Sequence, residues 1–313
     1  MKVLVTGGAG FIGSHIVDAL IEAGNQVSIV DNLWERGGGR MENVNPQAQF
    51  YKMDVRDAAL DQVFETERPE VVCHSAAQHS VKISTDDPVH DAQINILGLI
   101  NLLQCATRFG TRKVVFSSSG AVYGTVSKMP VDENTPQHPE SPYGITKMSS
   151  EHYLRFWKGM FGLDFTSLRY GNVYGPRQDP TGEAGVIAIF ARAILQGEPI
   201  RINWDGEQQK DYVYVRDVAR ANLLALTRGS GESFCIATGK GTSVNALYRG
   251  LVNCIGHRVE TVPAPKQPGD IYLTYFDCRK AEKQLGWRAE IDLERGLRLT
   301  ADYFTRTTAS SSR

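Results

Sequence analysis

The chain has 313 residues, and 34 Lys plus Arg against 35 Asp plus Glu give it a formal net charge of −1. Hydrophobic residues make up 42% and charged residues 22%, a balance typical of a globular protein rather than a disordered or fibrous chain. Because there is no basic excess, a nucleic-acid partner is not expected, and no apolar run reaches the roughly 18 residues that would cross a membrane. At roughly 150 residues per domain, the length predicts two units.

Short apolar segments alternate with longer helical patterns through the first half of the chain. The predicted strands are 2–6, 26–30, 50–53, 71–74, 114–117 and 165–168, and the predicted helices between them are 12–24, 58–67, 89–109 and 142–161. This alternation predicts an α/β fold with a doubly wound parallel sheet, and ligands of such sheets bind at the carboxyl ends of the strands. We therefore assign residues 1–170 to a sheet domain.

The pattern becomes less regular after about residue 170, where prolines and glycines interrupt the helical segments. Helices are predicted near 184–196, 216–228, 243–255 and 293–305. Residues 171–313 are expected to form a smaller C-terminal α/β lobe, with 210–228 returning to the main sheet.

Cysteine and histidine usage bears on the compartment and on metals. The five cysteines are odd in number and include no Cys-x-x-Cys pair, so reduced thiols in a cytoplasmic protein are expected. The amino-terminal residues lack the pattern of a secretory signal, so export is not expected. The seven histidines show no metal-ligand spacing, and no metal is predicted.

A glycine-rich turn follows the first predicted strand. Gly7, Gly10 and Gly13 recur at three-residue spacing just before an amphipathic helix, which allows a tight turn and a close approach of backbone N–H groups to a pyrophosphate. Asp31 ends the second predicted strand, 31 − 13 = 18 residues after the last glycine, where a carboxylate can accept hydrogen bonds from an adenosine ribose. The pattern predicts a dinucleotide site.

The charge of this site favours NAD over NADP. Asp31 would repel a 2′-phosphate, although the nearby Arg36 and Arg40 keep NADP open as an alternative. Asp54, just after the third strand, is a candidate for the adenine edge, and a solvated loop acid is an equally good interpretation of it.

Tyr143 is followed four residues later by Lys147, and Ser141-Pro142 before them is typical of a helix start. The pair should lie on one face of the first turns of that helix. A free phenol titrates near pH 10, so Tyr143 can act as a base only if a nearby cation stabilises its phenolate. Lys147 and a nicotinamide ring could supply that field. By spacing alone, an ordinary surface pair is the stronger interpretation.

Further motifs decide between these interpretations. Together with Tyr143-x-x-x-Lys147, they resemble the extended short-chain dehydrogenase/reductase family, in particular its NAD-dependent sugar-nucleotide epimerases, and they imply a Rossmann-type fold. The motifs are Thr6-Gly7-Gly8-x-Gly10-Phe11-Ile12-Gly13, Asp31-Asn32-Leu33, Ser117-Ser118-Ser119-Gly120-Ala121-Val122-Tyr123-Gly124 and Leu168-Arg169-Tyr170-Gly171-Asn172-Val173-Tyr174-Gly175-Pro176-Arg177-Gln178.

The resemblance implies roles for individual residues. Tyr143 would be the general base, Lys147 would lower its pKa and hold the nicotinamide ribose, and Ser119 would bind the reacting hydroxyl. The implied NAD-binding residues are Gly7, Gly10, Phe11, Ile12, Gly13, Asp31, Asn32, Asp54, Val55, Ala76, Ala77, Gln78, Asn95, Ser117, Tyr143, Lys147 and Tyr170. The implied substrate-binding residues are Ser119, Tyr143, Asn172, Gly185, Val186, Lys210, Gln267 and Asp270.

The resemblance also implies a reaction on a nucleotide-sugar, with a UDP-sugar favoured. The 4-hydroxyl would lose its proton as NAD takes the C4 hydride, and the 4-keto sugar would turn over and regain the hydride on its other face. Family members that eliminate water or carbon dioxide carry an acid beside the catalytic hydroxyl, whereas Gly120 and Ala121 follow Ser119 here. Plain epimerisation of UDP-glucose and UDP-galactose is thus expected.

The substrate lobe departs from the family pattern at two positions. Lys210 and Gln267 stand where arginines usually hold the diphosphate, and Lys266 is a possible substitute. An epimerase or dehydratase acting on a different nucleotide-sugar therefore remains an alternative, and a non-catalytic NAD-binding sensor is another. The family resemblance further implies a homodimer formed through the helices near 92–108 and 142–161.

Overall fold

The computed structural model describes residues 1–181, 185–266 and 271–311, with side chains described to residue 307. Its centre is a parallel sheet with the strand order β10-β6-β5-β4-β1-β2-β3. These strands are β1 Lys2–Thr6, β2 Gln26–Asp31, β3 Gln49–Lys52, β4 Val71–His74, β5 Lys113–Ser119, β6 Asp164–Tyr170 and β10 Glu232–Ile236. The predicted doubly wound parallel sheet is confirmed.

Helices cover both faces of this sheet because successive strand residues point to opposite sides. Val3 and Val5 pack into one core and Leu4 into the other. The helices on the two faces are α1 Phe11–Glu22, α2 Leu60–Glu67, α3 Val81–Asp86, α4 Pro88–Ala92, α5 Gly98–Arg108, α6 Pro142–Phe161, α8 Val215–Ala225 and α10 Arg279–Leu285. A π-helical turn at Gln93–Leu97 connects α4 to α5.

A smaller lobe is built from short strands and helices of the second half. One of its sheets joins β7 Asn172–Tyr174, β9 Gln209–Tyr214, β11 Gly241–Ser243 and β13 Leu273–Thr274, and a second pairs β8 Ile200–Asn203 with β12 Thr261–Ala264. Its helices are α7 Val186–Gln196, α9 Val244–Ile255 and α11 Leu293–Ser311. Their apolar faces form a core of their own around Phe190, Leu247 and Leu297.

The chain crosses between the two sheets more often than the sequence suggested. Within 210–228, the strand half belongs to β9 of the small sheet, while the helical half, α8, packs on α1 of the large one. The next strand, β10, returns to the large sheet and pairs in parallel with β6, from Glu232 opposite Thr166 to Ile236 opposite Tyr170. No strand was predicted for this segment, Glu232–Ile236.

The predicted helix 89–109 is interrupted. Asp87 caps α4 by accepting from the His90 N–H at 2.9 Å, and the π-helical turn then separates α4 from α5. Such turns are frequent at functional sites. Over the described ranges, none of the helices has the length and apolar character required to cross a membrane.

Candidate active site

The glycine-rich turn has the tight geometry that its spacing predicted. Gly7 has φ +73°, and a Cβ there would lie 2.6 Å from the backbone N of Ala76. A Cβ on Gly13 would lie 2.0 Å from the carbonyl oxygen of Gly7. Helix α1 then starts at Phe11, after Gly10, which offers no capping side chain. The first N–H groups of α1 are thus available to an anion, as a pyrophosphate site requires.

A cleft opens in front of this turn, at the carboxyl ends of β1, β2 and β4. Predicted residues in its lining are Gly7, Gly10, Phe11, Ile12, Gly13, Asp31, Asn32, Asp54, Val55, Ala76 and Ala77. His79, which follows the fourth strand and whose position could approach a diphosphate, is also in the lining, and residues there that were not predicted are Val30, Trp34, Gly37, Gly39, Met53, Ser75 and Ile94. Several of these directly follow or adjoin predicted strand ends, and that position was the available signal.

Asp31 is fixed beside the glycine turn. Its carboxylate accepts from the Ala9 N–H at 3.0 Å and from the Leu33 N–H at 2.8 Å. Burial raises the pKa of Asp31, while these two hydrogen bonds lower it. Arg40, one of the two arginines that kept NADP open as an alternative, forms an ion pair with Asp179 at 3.6 Å. A carboxylate at this strand end suits a ribose hydroxyl better than a phosphate.

Asp54 lies in the cleft as an ionised group. The Arg56 guanidinium donates to it at 2.8 and 2.9 Å, and the Asn32 amide donates at 2.8 Å. Its hydrogen bonds with Arg56 lower the pKa of Asp54 to about 2. Asp54 therefore carries its charge at any physiological pH.

Helix α6 presents the predicted Tyr–Lys pair in its first turns. Ser141 caps it by accepting from the Gly144 N–H at 3.1 Å, and Pro142 takes the first helical position. The Lys147 ammonium lies 5.9 Å from the centre of the Tyr143 ring and donates to the Ser117 carbonyl at 2.8 Å. Both side chains thus meet the carboxyl end of β5.

Burial dominates the ionisation of this pair. It raises the pKa of Tyr143 to about 12; a hydrogen bond with Ser119 lowers that pKa and the charge of Asp91 raises it. Burial also lowers the pKa of Lys147 to about 8. Burial thus raises the pKa of Tyr143 above that of a free phenol, and without a bound cofactor the phenol stays protonated at neutral pH.

Hydroxyl groups converge beside the pair at the ends of β5 and β6. The Ser117 hydroxyl lies 2.7 Å from that of Ser75 and 3.1 Å from the phenol of Tyr170. The Asn222 amide donates to the same phenol at 2.8 Å. Ser119 lies opposite Tyr170 in the sheet, and its hydroxyl accepts from the Ala121 N–H at 3.1 Å.

Helix α6 is held on the sheet by a buried ion pair. Glu151 accepts from the Arg169 guanidinium at 2.9 and 2.6 Å, from the Ser118 hydroxyl at 2.7 Å and from the Ser167 hydroxyl at 3.0 Å. Glu151 and Arg169 are both buried. This carboxylate fixes α6 against β5 and β6, two turns beyond Tyr143.

Gln78 and Asn95, both predicted to bind NAD, have buried side chains that are engaged within the protein. The Gln78 amide donates to Asp91 at 2.7 Å, and the Asn95 amide donates to Asp91 at 3.0 Å and to the Gln78 carbonyl at 2.9 Å. Thr146 also donates to Asp91, at 2.9 Å. Neither side chain belongs to the cleft lining, and Asp91 and Thr146 carried no signal in the sequence.

Besides Ser119 and Tyr143 on the large-sheet side, the described predicted substrate residues lie on separate elements of the smaller lobe. Asn172 starts β7 and is exposed, Gly185 precedes α7 with φ +112°, Val186 begins α7, and Lys210 lies in β9. Gln267 and Asp270 fall outside the described residues, as does the predicted helix start at 184. Lys266, the possible substitute cation, lies 4.4 Å from the centre of the Trp204 ring.

Gly120, directly after Ser119, has no room for a side chain. A Cβ there would lie 2.5 Å from the ring of Phe276, which is itself buried.

Across the described ranges, no three His, Cys, Asp or Glu side chains are grouped so that they could hold a metal ion.

A glycine turn at the first strand end, a carboxylate at the second and a Tyr–Lys pair on the same sheet edge define a dinucleotide-dependent α/β protein. The family profile described as GDP-mannose 4,6 dehydratase matches residues 4–300. A putative UDP-glucose 4-epimerase of Methanocaldococcus jannaschii is 47% identical over 302 residues, covering 96% of this chain and 97% of that protein. The chain belongs to the NAD-dependent epimerase group of the extended short-chain dehydrogenase/reductase family.

Solved structures agree with this placement. A UDP-glucose 4-epimerase of Thermotoga maritima with UDP-glucose superposes with a TM-score of 0.96 at 49% identity, covering 98% of this chain and 100% of that one. A UDP-glucose 4-epimerase of Thermus thermophilus complexed with NAD gives a TM-score of 0.93 at 43% identity, covering 97% and 99%.

Proposed function

We propose that this protein is an NAD-dependent UDP-glucose 4-epimerase, which interconverts UDP-glucose and UDP-galactose. The observation that carries the proposal is the meeting of Tyr143, Lys147 and Ser119 at the sheet edge that also bears the glycine turn. The relatives named for this activity match nearly the whole chain, including both lobes.

The described residues fit NAD. The glycine turn leaves space that a Cβ would fill, the start of α1 suits the pyrophosphate, and Asp31 suits the adenosine ribose. When bound, NAD supplies a reversible hydride acceptor for the sugar C4. Lys147, already fixed on the Ser117 carbonyl, would hold the nicotinamide ribose, and Ser117 and Tyr170 would border the ring.

Tyr143 would take the proton of the sugar 4-hydroxyl and return it after the keto sugar has turned over. Ser119, which hydrogen-bonds the phenol, would hold the same hydroxyl in line. Because burial raises the pKa of Tyr143, its deprotonation requires a positive charge beyond that of Lys147, and the oxidised cofactor carries one.

We assign NAD to residues 1–170 together with the helix of 210–228, and the nucleotide-sugar to the smaller lobe within 171–313, from which β10 and α10 are excluded because they belong to the large-sheet unit. Asn172, Gly185, Val186 and Lys210 would contact the diphosphate and nucleoside. Gln267 and Asp270 belong to the same proposal. Lys210 keeps the positive charge of the family arginine but donates as a single point, so we expect weaker binding of the diphosphate.

The geometry at Gly120 favours epimerisation over dehydration, although the matching family profile is described as a dehydratase. Any acidic side chain at this position would collide with the buried ring of Phe276. Ser119 is therefore followed directly by a residue that supplies no acid to eliminate water.

The test is to incubate the purified protein with UDP-galactose and a catalytic amount of NAD. The proposal predicts an equilibrium mixture with UDP-glucose and no net NADH. Stoichiometric NADH or a stable keto product would instead indicate an oxidoreductase or dehydratase, and NAD binding without turnover would indicate a sensor. Parallel reactions with other UDP-, dTDP-, CDP- and GDP-sugars would define the substrate.

We propose a homodimer formed through α5 and α6. Exposed apolar side chains recur on one stripe of α6, at Ile145, Phe156 and Met160, and Leu97 of the adjoining π-helical turn is also exposed. Sedimentation should give twice the mass of the chain, and Met160→Glu should shift the protein towards the monomer.

We also place the protein in the cytoplasm, where its five free cysteines would remain reduced.

A further inference from the structure

Asp91 is a buried carboxylate whose hydrogen bonds all come from neutral groups in the described part of the chain. It is 0% exposed and accepts from Gln78 at 2.7 Å, Asn95 at 3.0 Å and Thr146 at 2.9 Å. Buried carboxylates usually have a cationic partner, because an isolated charge is costly in a protein interior. Three neutral donors fix the position of this carboxylate without neutralising it.

The proposed catalytic turn of α6 carries a charge opposite to that of Asp91. Thr146, which donates to Asp91, lies next to Lys147, and its hydroxyl is also 3.0 Å from the Tyr143 carbonyl. Lys147 is buried as well, and its ammonium donates to the Ser117 carbonyl. A buried anion from α4 and a buried cation from α6 are thus attached to the same turn.

We propose that Asp91 is a positioning residue, the buried counter-charge that keeps the Lys147 ammonium charged and holds the first turns of α6 in place for proton transfer. The inference rests on the proposed function, because it takes Tyr143 and Lys147 as the proton-transfer pair. Its physical basis is that a buried ammonium without an opposite charge readily loses its proton.

The electrostatics of the pair agree with this role. Burial lowers the pKa of Lys147 to about 8, and the charge of Asp91 raises it. The same charge raises the pKa of Tyr143. Removing one negative charge should therefore make both groups release their protons at lower pH.

Besides Tyr143, the titratable side chains that interact electrostatically with Asp91 or Lys147 include His74, His79 and His90, and α3, which packs against α4 and α6, carries the exposed Lys82 and Asp86. Burial, aided by the charge of Lys147, lowers the pKa of His74 to about 3 and also lowers the pKa of His79. His74 therefore stays neutral above pH 5 and adds no charge beside Lys147 there. Burial raises the pKa of Asp91, while its hydrogen bonds with Thr146 and Gln78 and the charges of Lys147 and His90 lower it.

The experiment measures kcat/KM for UDP-galactose against pH with NAD-loaded wild type, Asp91→Asn and Asp86→Asn. Asp86 is an exposed acid near the end of α3 and serves as the matched control for loss of one carboxylate. In Asp91→Asn both limbs of the profile should move to lower pH by about one unit, since they belong to the coupled pair. Asp86→Asn should keep the wild-type limbs.

An active Asp91→Asn protein with unmoved limbs would overturn the inference, whatever the height of its profile. Wild type that does not interconvert the two sugars would overturn the proposed function and this inference with it. If Asp91→Asn does not fold, Thr146→Val replaces it, since loss of that donor makes Asp91 easier to protonate. The limbs of the Thr146→Val profile should move to lower pH by less than those of Asp91→Asn. Thr146→Ser, which keeps the hydroxyl, should leave the wild-type limbs in place. Unmoved limbs in Thr146→Val would overturn the inference.

Discussion

The large sheet and the smaller lobe fix their polar groups in different ways. At the edge of the large sheet, Thr6 pairs with His74 and Ser119 pairs with Tyr170, so a continuous parallel register places the groups. In the smaller lobe one buried carboxylate, Asp211, accepts from the N–H groups of Thr238, Gly239 and Phe276 and ties separate segments together.

In the proposed function, chemistry belongs to the large sheet and substrate specificity to the smaller lobe. A register shared by many strands resists change, because shifting one strand displaces every group on that edge. In the smaller lobe, the segments that Asp211 joins can vary in sequence as long as this carboxylate, the anchor of the lobe, is kept. Lys210, where the sequence resemblance leads one to expect an arginine, lies next to that anchor.

The largest expected effect is on the large-sheet side. Tyr143→Phe should lower kcat by about 1,000-fold or more while NAD remains bound, because the phenol oxygen is the proposed base. Tyr153→Phe, on the same helix, should keep wild-type kcat. Turnover assays with measured NAD content check this, and an active Tyr143→Phe protein would remove the phenol from the mechanism.

Glu151→Gln should lower the free energy of unfolding by about 3–5 kcal/mol, because it leaves the Arg169 guanidinium buried without a counter-charge. Glu294→Gln is the control: it removes an exposed ion pair with Arg298, and the free energy of unfolding should not change measurably. Urea denaturation provides the measurement. Equal effects would show that burial of the pair does not matter.

The same pair predicts a pH dependence of stability. Burial raises the pKa of Glu151, but the hydrogen bonds and charge of Arg169 hold it below the ordinary value. Because the pKa of Glu151 is lower in the folded than in the unfolded state, its ionised form stabilises the fold at pH values above the unfolded-state pKa, near 4.3. This stabilisation is lost as the pH falls through the folded-state pKa. The difference between wild type and Glu151→Gln should therefore shrink below pH 4.

Gly13→Ala should destabilise the protein by about 1–3 kcal/mol and weaken NAD binding, because its Cβ would meet the Gly7 carbonyl at 2.0 Å. Gly159→Ala is the control, since a Cβ there meets nothing within 4 Å. Calorimetric titration with NAD measures the effect. Wild-type affinity in Gly13→Ala would contradict a pyrophosphate site at this turn.

The smallest effect is expected in the lobe. Lys210→Ala should raise KM for UDP-galactose about tenfold with little change in kcat or NAD affinity, because one charged donor to the diphosphate is lost. Lys210→Arg should restore or lower KM, and Lys283→Ala, exposed on α10, should have no effect. A large fall in kcat for Lys210→Ala would move this residue to the chemical step.

Local spacing explains what the sequence could predict. The glycine turn, the Asp31 strand end and the Ser141 cap each depend on residues close in the chain, and the structure has all three. The parallel sheet followed from the alternation of strands and helices.

The remaining features depend on contacts between distant segments. Asp91 has the appearance of a surface acid in sequence, and its burial follows only from contacts with Gln78 and Thr146. Gln78 and Asn95 were assigned by resemblance, which does not reveal that each side chain is already engaged. The raised pKa of Tyr143 similarly reflects packing that spacing does not encode.

The position of β10 has a consequence for modular engineering. This strand arrives after the chain has already built much of the smaller lobe, and it covers the outer edge of β6 from Thr166 to Tyr170. A truncation after residue 170 would leave that edge open to pairing with other chains. Grafting a new specificity onto this scaffold therefore requires replacement of an internal segment with both junctions kept, not a terminal fusion.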